Sequence, residues 1–386
     1  MIFNKLLIKK CLSYIILLIK AKWIIKKLPQ KKYFVCGKNE ELIISSILRE
    51  NYFFLDDKNQ NIYLYIFLKT ILHFSFKKFL YRYYLNLIRE VNPEIIISTV
   101  DTNTFFWELK NYFPSKKLIL IQNAKKTGSP NDLFAKLKTQ NFKKQKIDYI
   151  FLMNDPVKNE FKKYLDGKFI VHGSLINNHM KRNKVEQDNY IFISQISDYG
   201  NQVFDEISKK KISEIFFLES KRILKYFSKY KPNTKISILP YNFDKRLFDF
   251  EKSLFKEISD ELDLEIIFFN KNKKTDSYDL LDMHKCSIGI TSTLLFENLA
   301  RGNKTGFLNY LQSNKIDGYS ISWPLKDSET FFSTEKNDYE NFTRIIKYLD
   351  ETSKSNWDKT INKLKENIMD FDEDNQKFKK IIIDLN

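Results

Sequence analysis

Short runs of β-branched and aromatic residues alternate with stretches of helical periodicity along most of this chain, and the alternation is interrupted once. That pattern predicts parallel sheets covered by helices, because a strand buried on both faces reads as a continuous apolar run. The first series contains "YFVC" (33–36), "EIIISTV" (94–100), "KLILIQN" (117–123), "IDYIFLM" (147–153) and "KFIVHGS" (168–174), with a long aromatic and basic helix expected over 66–90. A polar, lysine-rich stretch from Asn177 to Asn189 then reads as a linker. The second series contains "YIFISQ" (190–195), "EIFFLES" (214–220), "KISILP" (235–240), "LEIIFFN" (264–270), "CSIGIT" (286–291) and "KTGFLN" (304–309). From about Tyr339 the chain reads as charged helix. A length of 386 residues accommodates two domains, each with its own core. The expected division is a basic amphipathic helix over 1–30, a Rossmann-like domain over 31–180, a second over 188–338 and helices over 339–386.

Composition narrows the class. Aromatics at 15% and hydrophobics at 43% exclude a disordered chain. A formal charge of +17 attracts phosphate backbones in general. Lys, Asn, Ile, Phe and Tyr are abundant throughout while Gly, Ala and Pro are scarce, so much of that charge is a compositional background. It suits an anionic substrate or an acidic membrane surface as well as RNA, and no specific nucleic-acid partner is expected. An RNA-binding reading rests on charge alone.

Three scattered cysteines, Cys11, Cys36 and Cys286, support neither a disulfide framework nor a zinc knuckle, and fit a reducing cytoplasm. His172 and His179 are not spaced as ligands on one helical turn, so no metal is expected. In "MIFNKLLIKKCLSYIILLIKAKWIIKKLP" lysines break the apolar run too often for a membrane span, and no small-residue cleavage site follows. Two readings stay open for it: a basic amphipathic helix on the inner leaflet with Trp23 at the interface, or a core-packed helix whose lysines snorkel.

The densest chemistry lies in "CSIGITSTLLFENLARGNKTGFLN" (286–309). A strand, three hydroxyl residues and apolar positions at helical spacing are followed by Arg301 and Gly302, a basic residue and then glycine ending a helix. Ser292 and Thr293 thus open a helix, where free N–H groups and the helix dipole favour a phosphate. Glu297, one turn further in, is placed to accept from ribose hydroxyls. The plainer alternative makes Ser292 or Thr293 an N-cap and Glu297 a favourable first-turn acid. No GxGxxG, GxxxxGK[ST] or GxSxG occurs, which argues against a nicotinamide-type dinucleotide fold, a P-loop NTPase and a serine-hydrolase elbow.

The segment "GITSTLLFENLARGNKTGFLN" resembles the donor-site segment of GT-B glycosyltransferases. Its nearer likeness is to bacterial surface-polysaccharide or O-antigen biosynthesis proteins with an S-T-L-x-x-E-x-x-A-R-G-x-K-x-x-F pattern. "EIIISTVDTNTFFWELKNYFPSKKLILIQNAKK", "FIVHGSLINN", "YIFISQ" and "ISWP" (321–324) are similar to further elements of that family, so the likeness runs from about Glu94 to Pro324. It implies an α/β, GT-B-like fold: two Rossmann-like domains facing a central cleft, the donor held by the second and the acceptor mainly by the first.

Site roles follow from the resemblance, each beside a structural alternative. Asp101 is the candidate general base, or an N-cap together with Asn103. Gln122 and Asn123 orient acceptor hydroxyls, or form an ordinary turn. His172 acts as base or touches the leaving phosphate, or is a structural histidine. Ser194 and Gln195 join Ser292, Thr293 and Glu297 in donor binding. "DFDED" (370–374) matches the Asp-x-Asp of metal-dependent transferases in letters, but in a charged helical region it reads as a solvated cluster. The expected protein is a cytoplasmic, peripherally membrane-associated glycosyltransferase. It needs no cofactor beyond a nucleotide-sugar co-substrate, with a CMP-linked acidic sugar among the admissible donors, and acts on a surface glycan or lipid-linked acceptor. A CDP-glycerol-type glycerophosphotransferase and a non-catalytic scaffold of the polysaccharide machinery are the alternatives.

Overall fold

The computed structural model describes residues 21–37, 40–56, 61–72, 79–126, 133–182, 187–196, 212–273, 275–309 and 331–386. Two six-stranded sheets, parallel throughout, organise the molecule. A parallel pair, β1 (Lys22–Ile24) and β4 (Asn61–Tyr63), stands beside them. The first sheet is built from β2 (Tyr33–Gly37), β3 (Tyr52–Asp56), β5 (Ile95–Ser98), β6 (Lys117–Ile121), β7 (Gln145–Leu152) and β8 (Leu165–Val171), in the order β3-β2-β5-β6-β7-β8. The second contains β9 (Gln187–Ile193), β10 (Ile236–Leu239), β11 (Ile266–Phe268), β12 (His284–Gly289), β13 (Lys304–Leu308) and β14 (Ser333–Thr334), in the order β11-β10-β9-β12-β13-β14. That second order is the doubly wound 3-2-1-4-5-6 arrangement.

Each first-sheet strand sends alternate residues to opposite faces, and both faces are covered. Phe34, Ile96, Leu118 and Leu120 pack with Trp107 and Phe161 on one side. Val35, Ile97, Ile119 and Phe151 pack with Phe378, Ile381 and Ile382 on the other. This double burial is why the strands read as unbroken apolar runs. The second sheet is enclosed in one continuous core that includes Phe192, Phe227, Ile238, Ile288, Phe307 and Trp357.

Three sequence expectations need correction. "EIFFLES" is not a strand; it lies inside a helix, Ile212–Tyr230, whose buried positions Ile215, Glu219, Ile223, Leu224 and Phe227 recur at helical spacing. Residues 66–90 do not form one helix but belong to two, Leu64–Ile71 and Phe79–Val91, packed against each other. The expected linker begins as ordered structure: Leu175–His179 is a short helix capped by Ser174, with Asn177 and Asn178 buried. Of the expected N-terminal helix, residues 1–20 lie outside the described part, as does "ISWP", while Trp23 belongs to β1.

The last elements return to the first sheet. After the helices Tyr339–Glu351 and Lys354–Ile368, Asp370 N–H donates to the Met153 carbonyl at 2.8 Å and Asn154 Nδ2 to the Ile368 carbonyl at 2.8 Å. Phe371 then bridges Gly173, and the final helix, Gln376–Asp384, covers one face of the first sheet. At Gly173 the backbone has φ +83, and a Cβ there would stand 2.1 Å from the Asp370 carbonyl oxygen. Only glycine fits this crossing.

Candidate functional site

In doubly wound sheets ligands bind beyond the carboxyl ends of the strands, where the strand order reverses. The second sheet reverses between β9 and β12. The chain leaves β9 at Ser194 and Gln195, and leaves β12 through Ile290 and Thr291 into the helix Thr293–Ala300. Gln195 Oε1 accepts from the Thr291 N–H at 2.8 Å, closing that switch point. The first sheet reverses between β2 and β5, where Glu40 and Thr99 meet: Thr99 Oγ1 donates to Glu40 Oε2 at 2.8 Å.

Hydrogen bonds between the lobes bring these two ends together. Lys125, four residues beyond β6, donates from Nζ to Thr291 Oγ1 at 2.8 Å and lies 5.8 Å from the Phe296 ring centroid. Ser174, three residues beyond β8, donates from Oγ to Glu297 Oε1 at 2.5 Å. A narrow crevice lined by Glu40, Thr99, Asn123 and Ser174, with room for about one water, lies at the carboxyl end of the first sheet. Ser292 and Thr293, at the start of the helix Thr293–Ala300, are half-buried. Ser292 is that helix's N-cap, its side chain accepting from the Leu294 N–H at 3.3 Å, and Gly302 at φ +81 follows its end.

Several residues assigned to chemistry from the sequence are held by the protein instead. Glu297 is 5% exposed, and its second oxygen accepts from the Tyr278 hydroxyl at 2.9 Å. Burial, with the adjacent carboxylate, pushes the Tyr278 phenol well above its ordinary pKa, so it remains a donor. The carboxylate expected to meet ribose therefore joins the two lobes. Asp101 neither faces the crevice nor caps a helix: it forms a buried ion pair with Lys126, Nζ to Oδ2 2.6 Å. The cap is Asn103, whose Oδ1 accepts from the Phe105 N–H at 3.1 Å.

Gln122 is buried, with Nε2 donating to the Ala124 carbonyl and Oε1 accepting from the Met153 N–H, both at 2.9 Å. Both ends of its amide are occupied, so it shapes the turn. His172 lies wholly inside the first lobe, its ring edge-on to Phe151 at 5.1 Å. Burial pushes its pKa down to about 4, which keeps it neutral and away from the cleft. Ser194 is buried against Glu251, whose carboxylate also accepts from the Tyr241 and Asn242 N–H groups at 2.9 and 3.0 Å. Burial raises the Glu251 pKa, and these donors, Ser194 first, pull it back. Asn103, Asn123, Gln195, Ser292 and Thr293 are the expected site residues that keep partial exposure.

The structure also supplies residues that sequence reading passed over. Glu40, Thr99 and Ser174 line one crevice from three separate loops, and Lys125 reaches Thr291 of the other lobe. Arg301, read only as a helix terminator, is 1% exposed and pairs with Asp282 through Nε at 3.0 Å and through Nη2. It also donates to the carbonyls of Met180 at 3.0 Å and Lys181 at 2.9 Å, while Asn177 Nδ2 donates to the Glu297 carbonyl at 3.1 Å. Glu297 and Arg301, one turn apart, thus hold the segment 174–181 that leads from one lobe to the other. "DFDED" is likewise structural: Asp370 pairs with Lys377 at 2.8 Å and Asp374 with Lys379 at 2.5 Å. Among the described residues no group of acids, histidines and cysteines is arranged to hold a metal ion.

Two Rossmann-like lobes meeting at the carboxyl ends of their strands define the GT-B fold. Residues 119–385 match the family described as "putative O-antigen biosynthesis protein", and the chain belongs to that family. Among solved structures it is similar to UDP-GlcNAc 2-epimerase from Neisseria meningitidis bound to UDP-GlcNAc, at 12% identity and TM-score 0.50, covering 92% of this chain and 99% of that one. It is also similar to a variant of the wall teichoic acid polymerase TagF, at 14% identity and TM-score 0.51, covering 92% and 89%. At such identities the likeness is one of fold. No curated protein matches the chain in sequence.

Proposed function

We propose that this protein is a transferase of surface-polysaccharide synthesis that moves a sugar from a nucleotide-activated donor to a surface glycan or lipid-linked acceptor. The reading is carried by one observation: Lys125 of the first lobe reaches Thr291 at the switch point of the second, beside the half-buried Ser292 and Thr293. A nucleotide leaving group develops negative charge as the glycosidic bond breaks. Helix N–H groups, the Thr293 hydroxyl, the Gln195 amide and the Lys125 ammonium supply preorganised positive potential there.

An acceptor hydroxyl must lose a proton as it attacks, and Glu40 takes that role here in place of Asp101. Glu40 lines the crevice and is oriented by Thr99, whereas Asp101 is spent on Lys126; Glu40 is itself only 2% exposed, so the crevice must widen for an acceptor to reach it. Asn123, on the same crevice, orients the acceptor. The donor-side assignments are consistent with similar folds that bind UDP-GlcNAc, and family membership supports an O-antigen setting.

The fold likeness to the teichoic acid polymerase favours a second reading, transfer of glycerol phosphate from a CDP-linked donor. A thermal-shift screen with CMP, CDP, UDP and GDP and their sugar or glycerol conjugates separates the two. A ligand at ~100 times its Kd raises stability by about 2.7 kcal/mol, a shift of a few degrees for a chain of this size. A shift with a nucleotide sugar supports sugar transfer, and one confined to CDP-glycerol supports the second reading. No shift with any nucleotide, together with full tolerance of Glu40→Gln and Thr293→Val in cells, refutes both and leaves a scaffold.

A further inference from the structure

We propose that the face formed by β1, β4 and the two helices that follow β4 docks on an anionic lipid surface. Trp23 on β1 packs edge-on against Phe67 at 5.1 Å, and Phe67 against Phe79 at 5.5 Å, so strand and helices form one continuous surface. From it project Ile25 and Leu72, each 80% exposed, with Tyr65, Leu68 and Leu80 about half exposed. The helix Leu64–Ile71 buries Ile66 and Thr70 and turns its opposite, equally apolar side outward. A helix that is apolar on its outward side is unusual in a protein that meets only water, and a patch of this kind marks an interaction site.

Charge selects the partner. Residues 21–32, 61–72 and 79–91 contain eight lysines and arginines and a single acid, Glu90. Lys22, Lys26 and Lys27 are exposed beside Trp23 and Ile25, and Lys69 lies 5.9 Å from the Tyr65 ring centroid. Elsewhere the chain mixes signs, with 47 acids against 57 bases, so this nearly acid-free surface is a local departure. Aliphatic tips between lysines fit the boundary between headgroups and acyl chains, with the ammonium groups at the phosphates. A nucleic acid would ask for aromatic platforms in a groove rather than protruding Ile and Leu. No described helix is long and apolar enough to cross a membrane, so the contact proposed is one of lying on the surface. It is independent of the donor chemistry.

Co-sedimentation of the full chain with vesicles tests it, using phosphatidylcholine alone and phosphatidylcholine mixed with phosphatidylglycerol. Binding is expected to the mixed vesicles and to weaken as salt rises. Lys22→Glu/Lys26→Glu/Lys27→Glu should reduce it about tenfold or more. Leu68→Ser/Leu72→Ser should reduce it by a similar factor with the salt dependence retained. Unchanged thermal midpoints show that both variants fold. Equal binding to the two vesicle types overturns the proposal. So does wild-type binding by both variants, and so does loss of binding only in Lys5→Glu/Lys9→Glu/Lys10→Glu, which assigns the contact to the leading segment.

Discussion

Ser174 Oγ donates to Glu297 Oε1 at 2.5 Å, tying the loop after the last strand of the first sheet to the helix that opens the second lobe's switch point. The same carboxylate accepts from Tyr278, so one buried acid holds donors from both lobes. Removing it leaves two buried hydroxyls without an acceptor, and such groups cost about 1 to 3 kcal/mol each. In a double-mutant cycle by urea unfolding, Ser174→Ala and Glu297→Gln should couple by about 1 to 3 kcal/mol. Additive effects, with nucleotide binding lost in Glu297→Gln alone, would return Glu297 to the ribose.

Arg301 and Asp282 form a buried bidentate pair that also carries the carbonyls of Met180 and Lys181. Breaking a buried pair leaves the partner charge stranded, at about 3 to 5 kcal/mol. Arg301→Met should therefore lower stability by that amount, and Arg301→Lys should rescue little, because a point charge cannot reproduce the fork. Denaturant midpoints measure both, and near wild-type stability in Arg301→Met would contradict the clamp.

His172 gives a signed pH dependence. Its pKa is about 4 in the folded protein and 6.5 unperturbed, so the unfolded chain binds the extra proton between those values. Stability thus falls as pH drops from about 6.5 to 4, by about 3 kcal/mol if no other group intervenes. Replacing the ring with a neutral one of similar size, His172→Phe, should flatten the pH profile of the thermal midpoint across that window. An unchanged profile would mean that the imidazole reaches water.

On the proposed reading Glu40 is the base, while Asp101 serves the buried pair with Lys126. Glu40→Gln should lower kcat about 100-fold or more with KM little changed, the range for loss of a general base. Asp101→Asn should instead destabilise, by leaving the Lys126 ammonium buried, and Lys126→Met should offset much of that loss in the double variant. A kcat collapse in Asp101→Asn at wild-type stability would reverse the assignment.

How far the sequence foretold this structure depends on the distance over which each signal acts. Strands such as Ile95–Ser98 and Ile236–Leu239 were legible because burial on both faces writes itself into consecutive residues. "EIFFLES" misled because four apolar neighbours fit a strand as well as a helix, and only the wider spacing from Ile215 to Phe227 separates them. The helix Thr293–Ala300 was readable from its Ser292 cap to the glycine beyond its end, since caps are local. The side-chain roles were not. Gln122 is decided by Met153, Ser194 by Glu251 and Glu297 by Ser174, partners dozens of residues away whose approach no spacing rule contains.

The return of the final helix to the first sheet has a consequence for synthesis. Phe378, Ile381 and Ile382 complete an apolar face whose strands are made more than two hundred residues earlier. Until those residues emerge, Val35, Ile97 and Ile119 are covered only by Ile43, Ile44, Leu48, Leu175 and Ile176, and the half-built protein presents a sticky surface of the kind chaperones guard. A nascent chain stalled before residue 376 should therefore stay protease-sensitive in its amino-terminal half, however well its later sheet has formed.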